Sequence, residues 1–330
     1  MKVTKTGILL ILLLGYAPMA LAHTPLKPDG ENTSLESAYE IPKPTKSWTL
    51  YRELHGVGEA EYFMLHLEPG ERLRISLYVP RGEEEGFIPS LLVMGPSISS
   101  VDELPEFVEV PQGVGFDLIE PEKSEKPEYE PFTPASYYYV ADFDMVVPDH
   151  GTYYFAVYGP GHGKYGVAVG TREVFTLVEW IKIPLDVVNI RLWEGQPLLQ
   201  VFAPMLLTLV IGYGLIQSRP SIPRNPTSVT SASAGLLYVG SGFMFLIQVI
   251  INLLGSDYNA LVVLSFLFAI LPLLLGFFLL LRSLRVDVEP STSDRITLIL
   301  LGLFGFFTWS GFLIGPILAM IAGILPRQGA

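Results

Sequence analysis

The sequence predicts an all-β extracytoplasmic domain, a sandwich or jelly roll, followed by an α-helical bundle that crosses a membrane four times. Three observations carry that prediction. The chain opens with charged, greasy and small residues in the order of an export signal. From residue 23 to Gly195 it runs in short apolar/polar alternations and holds 29 acidic against 13 basic side chains. Beyond Gly195 there are 4 acidic and 6 basic residues, placed around four long apolar stretches. Over all 330 residues, 50% hydrophobic and 16% charged is too apolar for an ordinary soluble domain.

Residues 1–22, MKVTKTGILLILLLGYAPMALA, combine Lys2 and Lys5, an apolar run over 8–14 and the small-residue end Ala20-Leu21-Ala22. Gly15 and Pro18 cut the run too short for a retained span, so cleavage is expected, leaving His23 as the first mature residue. Cysteine is absent. The exported domain must therefore hold together by its own core, and thiol nucleophiles, cysteine metal sites and redox pairs are excluded.

Residues 23–173 read as the β domain. In 62–79, YFMLHLEPGERLRISLYV, a hairpin is expected around Glu68-Pro69-Gly70-Glu71, with Phe63, Leu65, Leu67, Leu73, Ile75 and Leu77 facing inward. A second hairpin is expected over 151–170, with Tyr153, Phe155, Val157, Tyr165, Val167 and Val169 inward. The glycine run ending at Gly163-Lys164 suggests a phosphate loop. That motif, GxxxxGK[ST], needs Gly at 158 and Ser or Thr at 165, where this chain has Tyr158 and Tyr165, and it needs a helix next rather than a β pattern. The run reads as a turn, in which Gly159, Pro160, Gly161 and Gly163 supply unusual dihedrals. Further strands are expected over 47–52, 90–94 and 137–147.

The segments EYFMLHLEPGERLRISLYVP and, later, GTYYFAVYGPGHGKYGVAVG resemble the pre-peptidase C-terminal (PPC-like) domain, a secreted β-sandwich. The resemblance covers the sandwich core and not the membrane part. It implies an attachment or accessory module without catalytic residues. The runs SWTLYRELHGVGEAEYF, PSLLVMGP and EPFTPASYYY also resemble uncharacterised membrane-tethered proteins, which brings no activity with it.

Candidate chemistry is sparse. His55, His66, His150 and His162 show no metal-site spacing and read as solvated side chains. His23 is the sharper candidate: a mature N-terminal histidine offers an α-amine and an imidazole, the chelate of a copper histidine brace, although HTPLKPDGENTS reads as a loose tail. Asp142 and Asp144 share a strand face and Glu83 to Glu85 crowd a loop, but neither has the spacing of a calcium loop. No Ser-His-Asp arrangement or G-x-S-x-G context is present, so no catalytic residue and no cofactor site is expected. Asn32-Thr33-Ser34 is a sequon, making Asn32 a glycosylation acceptor if the host has the machinery. The acidic balance disfavours nucleic acid.

Residues 174–195 read as a juxtamembrane linker or interfacial helix, with Leu185, Val188 and Leu192 as its greasy stripe and Trp180 and Trp193 suited to the headgroup layer. The four spans are expected over 197–216, 232–254, 259–281 and 296–325, each near the length that crosses about 30 Å of hydrocarbon. Arg219 and Arg224 follow the first span, and Arg282, Arg285 and Arg295 follow the third, which puts loops 217–231 and 282–295 in the cytoplasm. Four crossings from an exported domain then put the C-terminus outside. Mid-span charge is absent, which argues against ion-coupled transport. Gln200, Thr208, Gln248 and Asn252 read as helix glue, and Gly311, Gly315, Ala319 and Gly323 form a small-residue stripe on which another helix packs.

Two functions fit these residues. One is a membrane-anchored extracytoplasmic binding or accessory protein whose sandwich contacts a membrane-protein partner, a glycan or a surface polymer. The alternative is a metal-dependent enzyme or sensor, copper-loaded through His23.

Overall fold

The computed structural model describes residues 23–28, 30–83, 86–99, 103–219, 225–284 and 290–326. The export signal read over 1–22, together with Arg224, Arg285 and Arg327, lies outside the described residues. The chain forms two compact units. One takes the chain up to Val79 with Glu83–Lys123 and Tyr139–Thr176; the other takes Pro80–Gly82, Ser124–Tyr138 and Leu177–Ala330. Two short pieces that the sequence assigns to the β domain thus cluster with the helices.

The β unit is built from β1 (Thr24–Leu26), β2 (Tyr39–Glu40), β3 (Trp48–Leu54), β4 (Ala60–Leu67), β5 (Arg72–Pro80), β6 (Ser90–Gly95), β7 (Gly115–Ile119), β9 (Ala135–Val146), β10 (Gly151–Tyr158) and β11 (Gly163–Val169), while β8 (Glu128–Glu130) lies in the stretch that clusters with the helices. One sheet has the order β2-β4-β10-β6-β7 and the other β1-β3-β11-β5-β9-β8. The expected strands are present, but the two expected hairpins are not. β4 and β5 belong to different sheets, as do β10 and β11, so each connection is an arch between sheets. The arches pair with each other: β4 runs antiparallel to β10 with Phe63 opposite Phe155, and β5 runs antiparallel to β11. Period two assigns a strand its faces; it does not choose the partner.

The inward residues are those expected. Phe63, Leu65, Leu67, Leu73, Ile75, Leu77, Tyr153, Phe155, Val157, Tyr165, Val167 and Val169 are all buried. Each such side chain contributes about 1.5–3 kcal/mol through lost apolar surface, and the Phe63 and Phe155 rings stack at 4.6 Å. The opposite face of the first sheet is also covered. Tyr62, Leu92, Met94 and Ala156 lie beneath Leu35, Ala38, Leu104 and Val110 of the flanking loops, and the Glu109 amide donates to the Tyr62 hydroxyl at 2.8 Å.

The segment expected as a loose tail is ordered into the sheet. β1 pairs in parallel with β3, Thr24 opposite Trp48, and the Thr24 amide donates to the Ser47 carbonyl at 3.0 Å. In the glycine turn before β11, Gly163 answers to packing rather than dihedral angle: a Cβ there would lie 2.4 Å from the Phe87 ring, and none of the turn's glycines has positive φ. Gly70, at φ +88°, is the glycine that a turn conformation requires, in the arch from β4 to β5.

The helical unit contains α1 (Leu177–Trp193), α2 (Leu198–Gln217), α3 (Pro226–Leu253), α4 (Val262–Ser283), α5 (Thr292–Phe307) and α6 (Ile314–Ile324). Three of them, α2, α3 and α4, are long and apolar enough to cross a membrane. Glycine sets how closely they pack. A Cβ on Gly276 of α4 would lie 2.7 Å from the Gly235 carbonyl oxygen of α3, and one on Gly240 would lie 2.8 Å from Met205 of α2. Asn225 caps α3 by accepting from the Ser228 amide at 2.8 Å.

The expected fourth span over 296–325 is not one helix. It breaks between Phe307 and Ile314, where Trp309, Gly311 and Phe312 adopt positive φ, and α5 and α6 fold back on each other. A Cβ on Gly302 would meet Met320 at 2.4 Å, and one on Gly323 would lie 2.8 Å from the Arg295 carbonyl oxygen. Arg295 also donates to the Leu325 carbonyl at 2.6 Å, placing a cation on the end of α6. Helices of 16 and 11 residues are each shorter than the roughly 20 residues of a full crossing. Hydropathy is blind to chain direction, so an apolar hairpin and an apolar span look alike in sequence. Leu325 lies at the same end of the hairpin as Arg295.

Candidate functional site

In the helical unit, α1, α2, α3 and the α5–α6 turn surround a cavity of about 80 Å³. Its wall is mostly apolar: Ile183, Pro184, Val187 and Val188 from α1, Val201 from α2, Met244 and Phe245 from α3, then Trp309 and Phe312. Arg191, Ser241 and Gln248 are the polar members. Arg191 is 1% exposed. One guanidinium nitrogen donates to Glu194 at 2.7 Å, another to the Pro134 carbonyl at 2.9 Å and to the Thr133 carbonyl, while the buried Nε has no acceptor in the structure. Burying a charge this deeply is tolerable only because it is paired and bonded. Trp309 crosses Trp180 at 4.5 Å and donates from Nε1 to its carbonyl at 3.0 Å, tying the turn to α1.

Of the residues read as helix glue, Gln248 bonds across elements, exchanging side-chain amide bonds with Gln196 at 2.8 and 3.2 Å, whereas Thr208 and Asn252 donate to carbonyls of their own helices, Pro204 at 2.7 Å and Gln248 at 3.0 Å. Of the small-residue stripe, Gly311 lies in the turn at φ +66°, outside any helix; Gly315 abuts Tyr238 of α3, buried Ala319 sits in the core it shares with Tyr238, and Gly323 abuts α5. The stripe therefore serves the chain's own packing. On α1, Leu185 and Leu192 face outward while Ile183, Ile190 and Arg191 are buried.

In the β unit, His23 is mostly buried and its Nδ1 contacts the Ser47 hydroxyl at 2.5 Å. Burial, helped by the Arg74 charge, holds its imidazole down to about 4. The nitrogen that a brace chelate would use is engaged, and His23 belongs to no group of three ligating side chains among the described residues. Asn32 is also inside. Its Nδ2, the atom a sugar would occupy, donates to the Tyr62 carbonyl at 3.1 Å, and its Oδ1 accepts from Arg52 at 2.7 Å. The sequon is thus a piece of the core, which its sequence context could not reveal.

Arg52 continues that network by gripping Glu61 through Nε at 2.9 Å and a second nitrogen, and the Tyr165 hydroxyl donates to the same carboxylate. Burial pushes the Tyr165 phenol well above its usual range, and the Glu61 charge acts in the same direction. Asp142 and Asp144 are tied to β5 through Ser76 and Arg72 rather than presented as a pair of ligands. The Arg72 guanidinium bonded to Asp144 holds that carboxyl below its ordinary value. Exposed histidines each face a carboxylate: His66 faces Glu40 at 3.9 Å, His150 faces Glu68 at 3.1 Å and His162 faces Glu53 at 2.8 Å. His55 joins His162 beside Glu53, a convergence that sequence spacing did not signal.

No protein-family model matches the chain, and no curated protein matches it in sequence. Among solved structures, one similar chain is described as CorA, a surface-associated copper-binding protein important in Methylomicrobium album BG8 copper acquisition. It is 11% identical and the alignment covers 40% of this chain and 96% of that one, with a TM-score of 0.22. A TM-score at that level carries no argument about shared fold or ligand.

Proposed function

We propose that this chain is a membrane-anchored binding or accessory protein, with a PPC-like β-sandwich working outside the cytoplasm on a partner protein, glycan or surface polymer. One observation carries the proposal: the β unit buries its apolar side chains and presents acids, whereas the helical unit turns apolar side chains outward along α2, α3 and α4. A water-facing unit and a lipid-facing unit account for the two patterns. The arginines after α2 and α4 support a cytoplasmic assignment of those ends, and in that orientation the α5–α6 hairpin enters from the cytoplasmic face and returns to it. The C-terminal end is therefore cytoplasmic in this proposal, unlike the four-span expectation. Affinity purification of the tagged protein from native membranes in mild detergent, with quantitative mass spectrometry against an untagged control, tests the function. A reproducible stoichiometric membrane partner or bound polymer is expected; recovery of the chain alone, without either, contradicts it.

A further inference from the structure

We propose that Glu53, His55 and His162 hold a divalent first-row transition-metal ion on the β unit, leaving its remaining coordination positions open to water or an added ligand. This goes beyond the binding-module reading, which needs no metal. One ligand atom from each residue lies within 4.8 Å of the other two. The His162 Nε2 is 2.8 Å from a Glu53 oxygen, and the His55 and His162 rings are 6.3 Å apart between centroids. A tetrahedral ion with bonds of about 2.0–2.2 Å spaces its ligand atoms about 3.3 Å apart. Small rotations of exposed side chains bring the three to that spacing. Two imidazoles and one carboxylate form the donor set that zinc and its neighbours accept with an open position, whereas calcium and magnesium prefer oxygen throughout.

The backbone brings these side chains together from distant parts of the sequence. β3 and β11 pair with Glu53 opposite Lys164 and Leu54 opposite Gly163, so His55 just beyond β3 lies beside His162 just before β11. Both flanks are pinned. The Glu59 carboxylate accepts from the His55 and Gly56 amides at 2.5 and 3.1 Å, and Glu83 accepts from the Lys164 amide at 2.9 Å. Phe87 packs so closely on Gly163 that no Cβ fits there. A surface ion pair would account for Glu53 and His162 but would give His55 no part; a metal ion uses all three.

The test is calorimetric titration of the full-length protein in detergent, purified without a histidine tag, using Zn²⁺ alone. One ion per chain is expected, with affinity weakened about tenfold or more in both His55→Ala and His162→Ala and unchanged in His66→Ala and His23→Ala. Absence of stoichiometric uptake by the wild type overturns the proposal, as does wild-type affinity in His55→Ala. Loss in His23→Ala instead would move the metal to the N-terminal end and overturn this site. Should an alanine variant melt early without metal, His55→Gln and Glu53→Gln decide: weakened binding supports the site and retained wild-type affinity overturns it.

Discussion

The two units bury the same kinds of residue in opposite ways. In the β unit Leu65, Ile75 and Val93 are fully buried, while in the helical unit Leu199 and Val210 are 72% exposed and Val263 is 69% exposed. α2 is buried along 6% of its most apolar stretch, against 61% for α3 at the centre of the bundle. Each unit also hides a charged network, at Glu61 in the β unit and at Arg191 in the helical one, and the long helices are otherwise held by serines, amides and glycines that let backbones approach. The contrast teaches that one chain can be organised against two solvents, water for the sheets and, in the proposed placement, hydrocarbon for the helices.

The largest effect expected from breaking this contrast is at the charged centre of the β unit. Glu61→Ala removes the carboxylate that Arg52 grips and the Tyr165 hydroxyl donates to, which is expected to cost about 3–5 kcal/mol. Hydrogen exchange on the full-length protein should then show β4 and β10 amides losing protection while α3 amides keep theirs. Equal loss in both units would mean that they unfold together and that the division has no energetic meaning.

A lysine placed at two similarly exposed valines separates the solvents. Val57 is 82% exposed in the β unit and Val210 is 72% exposed on α2. Val57→Lys is expected to be neutral, whereas Val210→Lys should oppose insertion by about 2.5–3.5 kcal/mol, read as the fraction of chain integrated into membranes. Similar behaviour of the two variants would remove the lipid-facing reading of α2.

How much of this was legible in the sequence differs between the units. Strand positions and inward faces followed from period two, so Phe63, Leu65 and Leu67 were found correctly. Pairing did not follow, because an arch and a hairpin share the same alternation around Glu68–Glu71. Among the helices, length and hydropathy located α2, α3 and α4 to within a few residues at most ends; the start of α3 lay further off. They missed the reversal at Trp309 to Phe312, where Ser310 and Gly311 are residues that a span also tolerates. The two histidines beside Glu53 were hidden for a third reason: His55 and His162 meet only through the β3–β11 register.

A smaller effect is expected from the glycine contact between α3 and α4. Gly276→Val places a side chain against backbone 2.7 Å away and should destabilise the helices by about 1–3 kcal/mol. Thermal unfolding in detergent should show a lowered helical transition with the β-unit transition unmoved. An unchanged helical transition would mean that the two helices are not in close contact there.

The smallest effect is local and depends on pH. Because burial depresses the His23 imidazole to about 4, the unfolded segment binds its proton near the ordinary value of about 6.5 and the folded one does not. The attachment of β1 is therefore complete above that ordinary value and weakens as pH falls toward 4, with protection of the Thr24 amide dropping by at most about tenfold per pH unit. His23→Asn should flatten the profile; an unaltered slope in that variant would assign the titration to another group.

The absence of cysteine permits the most direct test of the central claim. Single cysteines at Val57, Arg219 and Pro326 would be exposed in intact cells to a membrane-impermeant maleimide, then again after lysis. The account predicts labelling of Val57→Cys before lysis, and of Arg219→Cys and Pro326→Cys only afterwards. Labelling of Pro326→Cys in intact cells would contradict the hairpin's return to the cytoplasmic face, and protection of Val57→Cys would contradict an extracytoplasmic β unit.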